Sequence, residues 1–539
     1  MSPSPGRRAR DIPIPGWLAA AALIAAFVLQ ASWAARRDSV TIDEFVHLPV
    51  GLYNLYSGDF TLDPINPPLS RMIAAAPLLV SPPAFSPDPA RGHWAMGYEL
   101  QSRNVDSYQD IFVRGRTMII LMASLLGVLV FAWATALYGW HSGIMALGLY
   151  CFSPSMLAHG HLVTLDLCGA LGFVATAFAT WRLLDSPSAG RAAAVGATVG
   201  LATLLKLSGF ILGGVVIAGI VIRLATERRG ADPVAWMRHL VLAGLAALFV
   251  FNLGYGFEGT FAPLSEAALD PRGTLAALRD TMPWLRLPVP LPLINGIDMV
   301  LNVGKQSEPS YFLAGELSAD GWWYYHLAAF AVKTPIPLLI IFAFASGAWT
   351  AGQSPGNRDY CVYVPVLLVF VSNVLFNSLQ IGVRHVLPAY PLLFIGASPW
   401  IVDALRRAGR LRTPRGTAVD GGVAAAAVIG LLWLVVGTLA VGPRYLQFFN
   451  EAGGGAAGGH RMLVDSNIDW GQDLIRLSEY MEREGDTQVN LAYFGRVNPN
   501  VYGIRFVPIE RGRSRGKTAI SASFLMGRPY FWYLSLIHI

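Results

Sequence analysis

The sequence predicts an all-α polytopic membrane protein with a small α/β domain outside the bilayer. Three observations predict it. Of 539 residues, 54% are hydrophobic and only 14% charged, against roughly 25% charged in soluble domains, and mean hydropathy is +0.47. Apolar runs of bilayer length recur along the chain as far as residue 442. Beyond it the pattern changes to short helical and strand signals of the soluble kind. This composition excludes a soluble globular enzyme, a disordered chain and a partner of nucleic acid. The net charge of +6 is read as arginines facing anionic lipid. Cys151, Cys168 and Cys361 sit inside apolar runs, which gives neither a disulfide framework nor a metal spacing.

A span needs about 20 apolar residues. On that basis about eleven transmembrane helices are expected near 16–34, 113–137, 140–158, 162–184, 190–205, 207–224, 237–254, 324–349, 360–380, 386–404 and 421–442. The first follows Arg7, Arg8 and Arg10 and reads as a signal-anchor. Residues 192–222 carry one charge, Lys206; as a single helix they would be about 46 Å long, too long for a core of about 30 Å. Two short helices turning near Lys206–Gly209 are therefore predicted. Arginine bias puts Arg182, Arg191, Arg223, Arg228, Arg229, Arg238, Arg358, Arg406, Arg407, Arg410, Arg412 and Arg415 in the cytoplasm. Segments 35–112, 255–323 and 443–539 then lie outside, each longer than a simple connector. Residues 1–442 form the transmembrane domain on this reading, and 443–539 the extracytoplasmic α/β domain. That domain is expected to have a helix over Asp473–Glu482 and a strand over Gln488–Phe494. The chain stops on the apolar Phe531–Ile539, which reads as a truncated domain or as foreign last residues.

Ionisable residues gather at the predicted outer turns. After the first span comes Thr41-Ile-Asp-Glu-Phe-Val-His47. Phe45, Leu48, Leu52 and Leu55 recur at helical steps, predicting an amphipathic helix along the interface. Thr41 and Glu44 have the spacing of a capping box, while Asp43, sharing a face with His47, can serve as a general base at the mouth of the bundle. In Asp63-Pro-Ile-Asn-Pro-Pro-Leu69 the prolines hold the chain rigid. That presents Asp63 and Asn66 to a ligand or simply makes a turn. His161 and Asp166 flank the entry to the fourth span, where an ionised Asp166 belongs in a cavity or at a wet helix end. Lys206 either snorkels to the interface or acts as a point-charge phosphate ligand. Arg384, beside His385, either holds a phosphate bidentately or anchors a helix end. There is no Walker A pattern and no G-x-G-x-x-G after a strand, so a phosphorylated substrate is expected from the membrane or from outside.

Asp43-Glu44 directly after the first span, followed by Pro67-Pro68-Leu69, resembles the polyprenyl-phosphate-sugar-dependent glycosyltransferases of the GT-C fold, a group that includes the protein O-mannosyltransferases and the aminoarabinose transferases. His161-Leu-Val-Thr-Leu-Asp166 and Thr203-Leu-Leu-Lys-Leu-Ser-Gly209 are similar to motifs of the O-mannosyltransferases. Arg384-His-Val-Leu-Pro-Ala-Tyr-Pro391 is similar to one in the aminoarabinose transferases. The resemblance covers roughly 16–442 as separate motifs. The sequence departs from it in lacking a β-trefoil in 255–323 and in having His385 where a tyrosine is usual. Asp465-Ser-Asn-Ile-Asp-Trp-Gly-Gln-Asp473 and Tyr493-Phe-Gly495 look like the extension of a bacterial subgroup and are read as a structural cap or an acceptor platform.

The resemblance implies a hexosyltransferase in the plasma (inner) membrane. It would transfer a sugar, with inversion, from a polyprenyl-phosphate donor to a hydroxyl of a protein Ser/Thr, a cell-envelope glycan or a lipid. Asp43 would be the base and Glu44 would orient it. Lys206 and Arg384 would neutralise the leaving phosphate, with His47, Asp63, Asn66, His161, Asp166 and His385 as further substrate contacts. No cofactor is expected. The alternatives are an oligosaccharyltransferase binding Mn²⁺ or Mg²⁺ through Asp43, Glu44 and Asp166, a ligase of whole lipid-linked glycans, and, last, a transporter.

Overall fold

The computed structural model describes residues 12–226, 232–302, 311–353, 359–375, 379–410, 417–509 and 516–527. Arg7, Arg8, Arg10, Arg228, Arg229, Arg358, Arg412, Arg415 and the chain end Phe531–Ile539 lie outside the described residues.

Helices fall on all eleven predicted apolar segments. Six helices among the described residues are long and apolar enough to cross a membrane: Ile14–Arg37, Val105–Tyr138, Asp166–Asp185, Leu207–Ala225, Pro233–Gly254 and Ala418–Val441. Ala189–Leu205, Ile336–Thr350 and Tyr360–Leu375 are shorter apolar helices. Two predicted spans are broken. Trp140–Cys151 gives way to Pro154–His159, and Tyr325–Lys333 to Ile336–Thr350; each second piece starts at or just after a proline, which suits a first helical turn and cannot continue an earlier one. The chain also breaks at Lys206, whose extended backbone (φ −155°, ψ 132°) ends Ala189–Leu205 before a 3-10 turn at Leu207–Ile211. Ala189–Leu205 packs closely along Pro233–Gly254. Gly196 permits this, since a Cβ there would lie 2.0 Å from the Ala243 carbonyl oxygen, the close backbone approach that small residues allow between membrane helices.

The helix Ile42–Ser57 corrects the sequence reading. It does not lie on the surface as an amphipathic helix, because every residue from Glu44 to Asn54 is buried. Helices Pro68–Ala75 and His93–Arg103 from the same outer segment pack against it. Such tertiary cover leaves no mark on local periodicity.

The C-terminal segment is α/β. Val489–Ala492 lies between the parallel strands Phe506–Pro508 and Thr518–Ile520, and the helix Leu474–Glu484 precedes them. One hydrophobic core runs from Phe27 in the first helix through Trp470 to Phe494. In the 255–323 segment the described residues form the helices Thr274–Thr281 and Leu291–Asn302 and a hairpin pairing Tyr311–Leu313 with Glu316–Ser318.

The charged residues sort to opposite helix ends. Asp166 opens a 20-residue helix and Arg182 lies in its last turn, about 25 Å away at 1.5 Å per residue. Arg191 begins the helix that ends at Lys206. Arg406 and Arg407 lie toward the end of Ala389–Arg410, which starts just beyond Arg384. Asp166, Lys206 and Arg384 therefore share one pole, and these arginines share the other.

Candidate active site

Four ionisable side chains meet at that pole. Asp43 sits in the first turn of Ile42–Ser57, Asp166 at the start of its helix, Lys206 at the break between two helices, and Arg384 in the 3-10 turn Val383–Val386. Each position is a helix end or interruption, where a side chain leaves the packed face and can point at a common centre. Arg384 Nη1 donates to Asp43 Oδ2 at 2.5 Å and lies 3.6 Å from Asp166 Oδ2. Lys206 Nζ donates to Asp166 Oδ1 at 2.6 Å. Two carboxylates and two cations balance, which makes their shared burial tolerable. Asp166 is nearly sealed, its side chain 4% exposed, while Asp43 is 24% and Lys206 20% exposed. The cluster is thus reached from the Asp43–Lys206 side. Arg384 Nε, by contrast, is buried without a hydrogen-bond partner among the described residues.

Burial raises the Asp43 carboxyl above the ordinary carboxylate range. Arg384 opposes this shift, and the Asp166 and Asp465 carboxylates add to it. Burial works against the Arg384 cation too, but Asp43 and Asp166 outweigh it and hold the guanidinium more firmly protonated than usual. His47 stands one turn on from Asp43, its Nε2 4.0 Å from the carboxylate. Burial pushes His47 down to about 4, so it is neutral at physiological pH. His385 follows Arg384 in the chain and packs its ring 5.5 Å from that of His326; burial holds it well below the usual histidine range.

The other predicted site residues have different partners. Glu44, expected to orient Asp43, does not join it. Its carboxylate takes two bonds from Arg116, at 2.8 and 2.6 Å, and one from the Val163 amide at 2.8 Å. The capping box with Thr41 is formed. The Glu44–Arg116 pair is wholly buried, and Arg116 outweighs burial to keep the Glu44 carboxyl below its ordinary range. Asp63 and Asn66 make the turn. Asn66 Nδ2 donates to both Asp63 oxygens, and Arg71 Nη1 binds Asp63 at 2.9 Å. His161 bonds Asp38 Oδ2 through Nε2 at 2.8 Å and the Leu157 carbonyl through Nδ1 at 2.7 Å. None of these four hydrogen-bonds or ion-pairs with Asp43, Asp166, Lys206 or Arg384 in the described contacts.

The alternative metal site fits these residues poorly. With Glu44 committed to Arg116, only Asp43 and Asp166 remain of the three proposed ligands, and each already carries a cation. Among the described residues no three His, Cys, Asp or Glu side chains gather closely enough to hold a metal ion.

Sequence reasoning missed three residues here. Arg116 and Arg71 are fully buried arginines, detectable only as charges near or within apolar runs. Trp470 is the third: its ring lies 4.5 Å from the Arg384 guanidinium carbon. The only signal for it was its place in the polar stretch Asp465–Asp473.

No family model and no curated protein matches the chain. Among solved structures it is similar to ArnT from Cupriavidus metallidurans bound to undecaprenyl phosphate, at 16% identity and TM-score 0.49 over 95% of this chain and 88% of that one. It is also similar to the archaeal oligosaccharyltransferase AglB from Archaeoglobus fulgidus in complex with an inhibitory peptide and a dolichol-phosphate, at 12% identity and TM-score 0.45 over 77% of this chain and 56% of that one. At such distances neither carries an argument about this chain.

Proposed function

We propose that the protein is a membrane glycosyltransferase that moves a sugar from a polyprenyl-phosphate donor to a hydroxyl acceptor on the extracytoplasmic side, with inversion at the anomeric carbon. The observation that carries this reading is the meeting of Asp43, Asp166, Lys206 and Arg384, drawn from four distant parts of the chain, at the pole opposite the arginine-bearing helix ends. The arginine-bearing pole then faces the cytoplasm and the cluster faces outward.

In the reaction the acceptor oxygen attacks the anomeric carbon while the bond from that carbon to the phosphate oxygen breaks. The hydroxyl proton passes to the Asp43 carboxylate, whose raised affinity for protons suits a general base. The bonding pair leaves with the phosphate oxygen. Lys206 and Arg384 stabilise the charge that develops there, the electrostatic contribution that is usually largest in such sites. A lipid phosphate stabilised in this way leaves without a second acid. Asp166, held between both cations, keeps them in place, and Glu44 acts behind the site by fixing the helix that carries Asp43. The acceptor is a protein Ser/Thr or a cell-envelope glycan or lipid.

The test is mass spectrometry of glycans and glycoproteins from cells carrying the protein, lacking it, or carrying Asp43→Asn at equal membrane abundance. One glycan modification should vanish both without the protein and with Asp43→Asn, a loss of about 100-fold or more for a missing base. Full modification with Asp43→Asn would refute the assignment of the base.

A further inference from the structure

The stretch Asp465–Asp473 supplies no reacting group in the chemistry above, yet it touches both walls of the site. On one wall, the Trp470 carbonyl accepts from the amide of Ile42, the residue before Asp43, at 3.1 Å. On the other, the Trp470 ring lies over the Arg384 guanidinium at 4.5 Å. Asn467 Oδ1 accepts from the Val383 amide at 3.0 Å, and Ser466 Oγ donates to the Ile381 carbonyl. The fit around Arg384 is close, since a Cβ on Gly382 would lie 2.6 Å from Ser466 Oγ. Lys333 Nζ ties the same stretch to the helix Tyr325–Lys333, donating to the Asn467 carbonyl at 2.6 Å.

We infer that Trp470 is a positioning residue for the transfer site, fixing the plane of the Arg384 guanidinium relative to the helix that carries Asp43. The inference rests on the reading of Arg384 as a ligand of the donor phosphate. Arg384 lies between two carboxylates, hydrogen-bonded to Asp43 and 3.6 Å from Asp166, and these contacts alone would let the group swing toward either. An indole face holds a cation differently. It attracts the flat side of the guanidinium through its π electrons and leaves the in-plane N–H groups, the ones that grip phosphate oxygens, outside the contact. Trp470 is 1% exposed, so the ring is itself held by packing, and the C-terminal segment becomes a working part of the site.

The experiment measures binding of undecaprenyl phosphate to the purified full-length protein in detergent, with thermal melting as the control for folding. Trp470→Met keeps apolar bulk and removes the ring. It should weaken binding about tenfold, the scale of a desolvated cation–π contact, and Trp470→Phe should fall between it and the native protein. The same changes made in an Arg384→Ala background should have no further effect, because their action runs through that guanidinium. Native binding by a folded Trp470→Met protein would overturn the inference while leaving Arg384 as a ligand. An equal loss with and without Arg384 would overturn it in the same way, reducing Trp470 to packing. If Trp470→Met does not fold, Trp470→Phe is measured in both backgrounds and decides by the same comparison. If Arg384→Ala alone binds normally, the underlying reading of Arg384 fails and takes the inference with it.

Discussion

Asp43 and Glu44 are chain neighbours with opposite fates. Successive residues on a helix point about 100° apart, so two adjacent acids cannot share one environment. Glu44 turns to Arg116 and Asp43 to Arg384. The difference has a kinetic signature. As the proposed base, Asp43 accepts a proton only while ionised, so the rate should fall as pH falls through its pKa. Burial raises that pKa above the unperturbed 3.8, and the acid limb of the kcat/KM profile should lie above that value. Arg384→Gln removes a positive neighbour that favours the carboxylate, which raises the pKa again and should move the acid limb to higher pH. A limb at or below the unperturbed value, or a shift the other way, would contradict Asp43 as the base.

Elements explain what the sequence could and could not disclose. Apolar runs, the Thr41–Glu44 cap and the break at Lys206 are local properties, and all three appear as helices, a capping box and a helix interruption where the sequence put them. The partners of the acids are not local. Arg116 is 72 residues from Glu44, and Arg384 is 341 from Asp43. No periodicity links them, so the sequence could offer both acids as candidates without separating their roles. For the same reason the burial of Ile42–Ser57 was not legible, since its cover comes from other helices and from the Trp470 turn.

Glu44 has a test at this scale. Glu44→Gln leaves the Arg116 cation buried without its counter-charge, which destabilises by about 3–5 kcal/mol. It should lower the melting temperature sharply, and Glu44→Gln with Arg116→Met should recover much of the loss. Asp43→Asn, at a partly exposed position, should melt near the native temperature. Equal melting of all these proteins would return Glu44 to the list of candidate catalytic groups.

At the scale of the molecule, the C-terminal segment and the membrane helices are joined by polar ties as well as by a shared core. Arg476 binds Asp38 at 2.6 Å, the Leu474 amide donates to Ser39 Oγ at 3.0 Å, and Lys333 Nζ donates to the Leu446 carbonyl at 2.8 Å. His161 closes the joint through Asp38, which accounts for its burial. The two poles give the molecule its logic. Arg182, Arg191, Arg406 and Arg407 mark one, the cluster of Asp43, Asp166, Lys206 and Arg384 marks the other, and apolar helices separate them.

The proposed role of these four charges is a site for a lipid phosphate with Asp43 as its base. It is tested most directly by measuring undecaprenyl phosphate binding to the native protein, Lys206→Ala, Arg384→Ala and Asp43→Asn. Loss of either cation should weaken binding about tenfold or more, as expected for a charge-assisted contact of 1.5–3 kcal/mol. Asp43→Asn should bind at least as tightly as the native protein, because it frees Arg384 from a competing carboxylate. Native affinity in both cation variants, or a loss in Asp43→Asn equal to theirs, would contradict the claim.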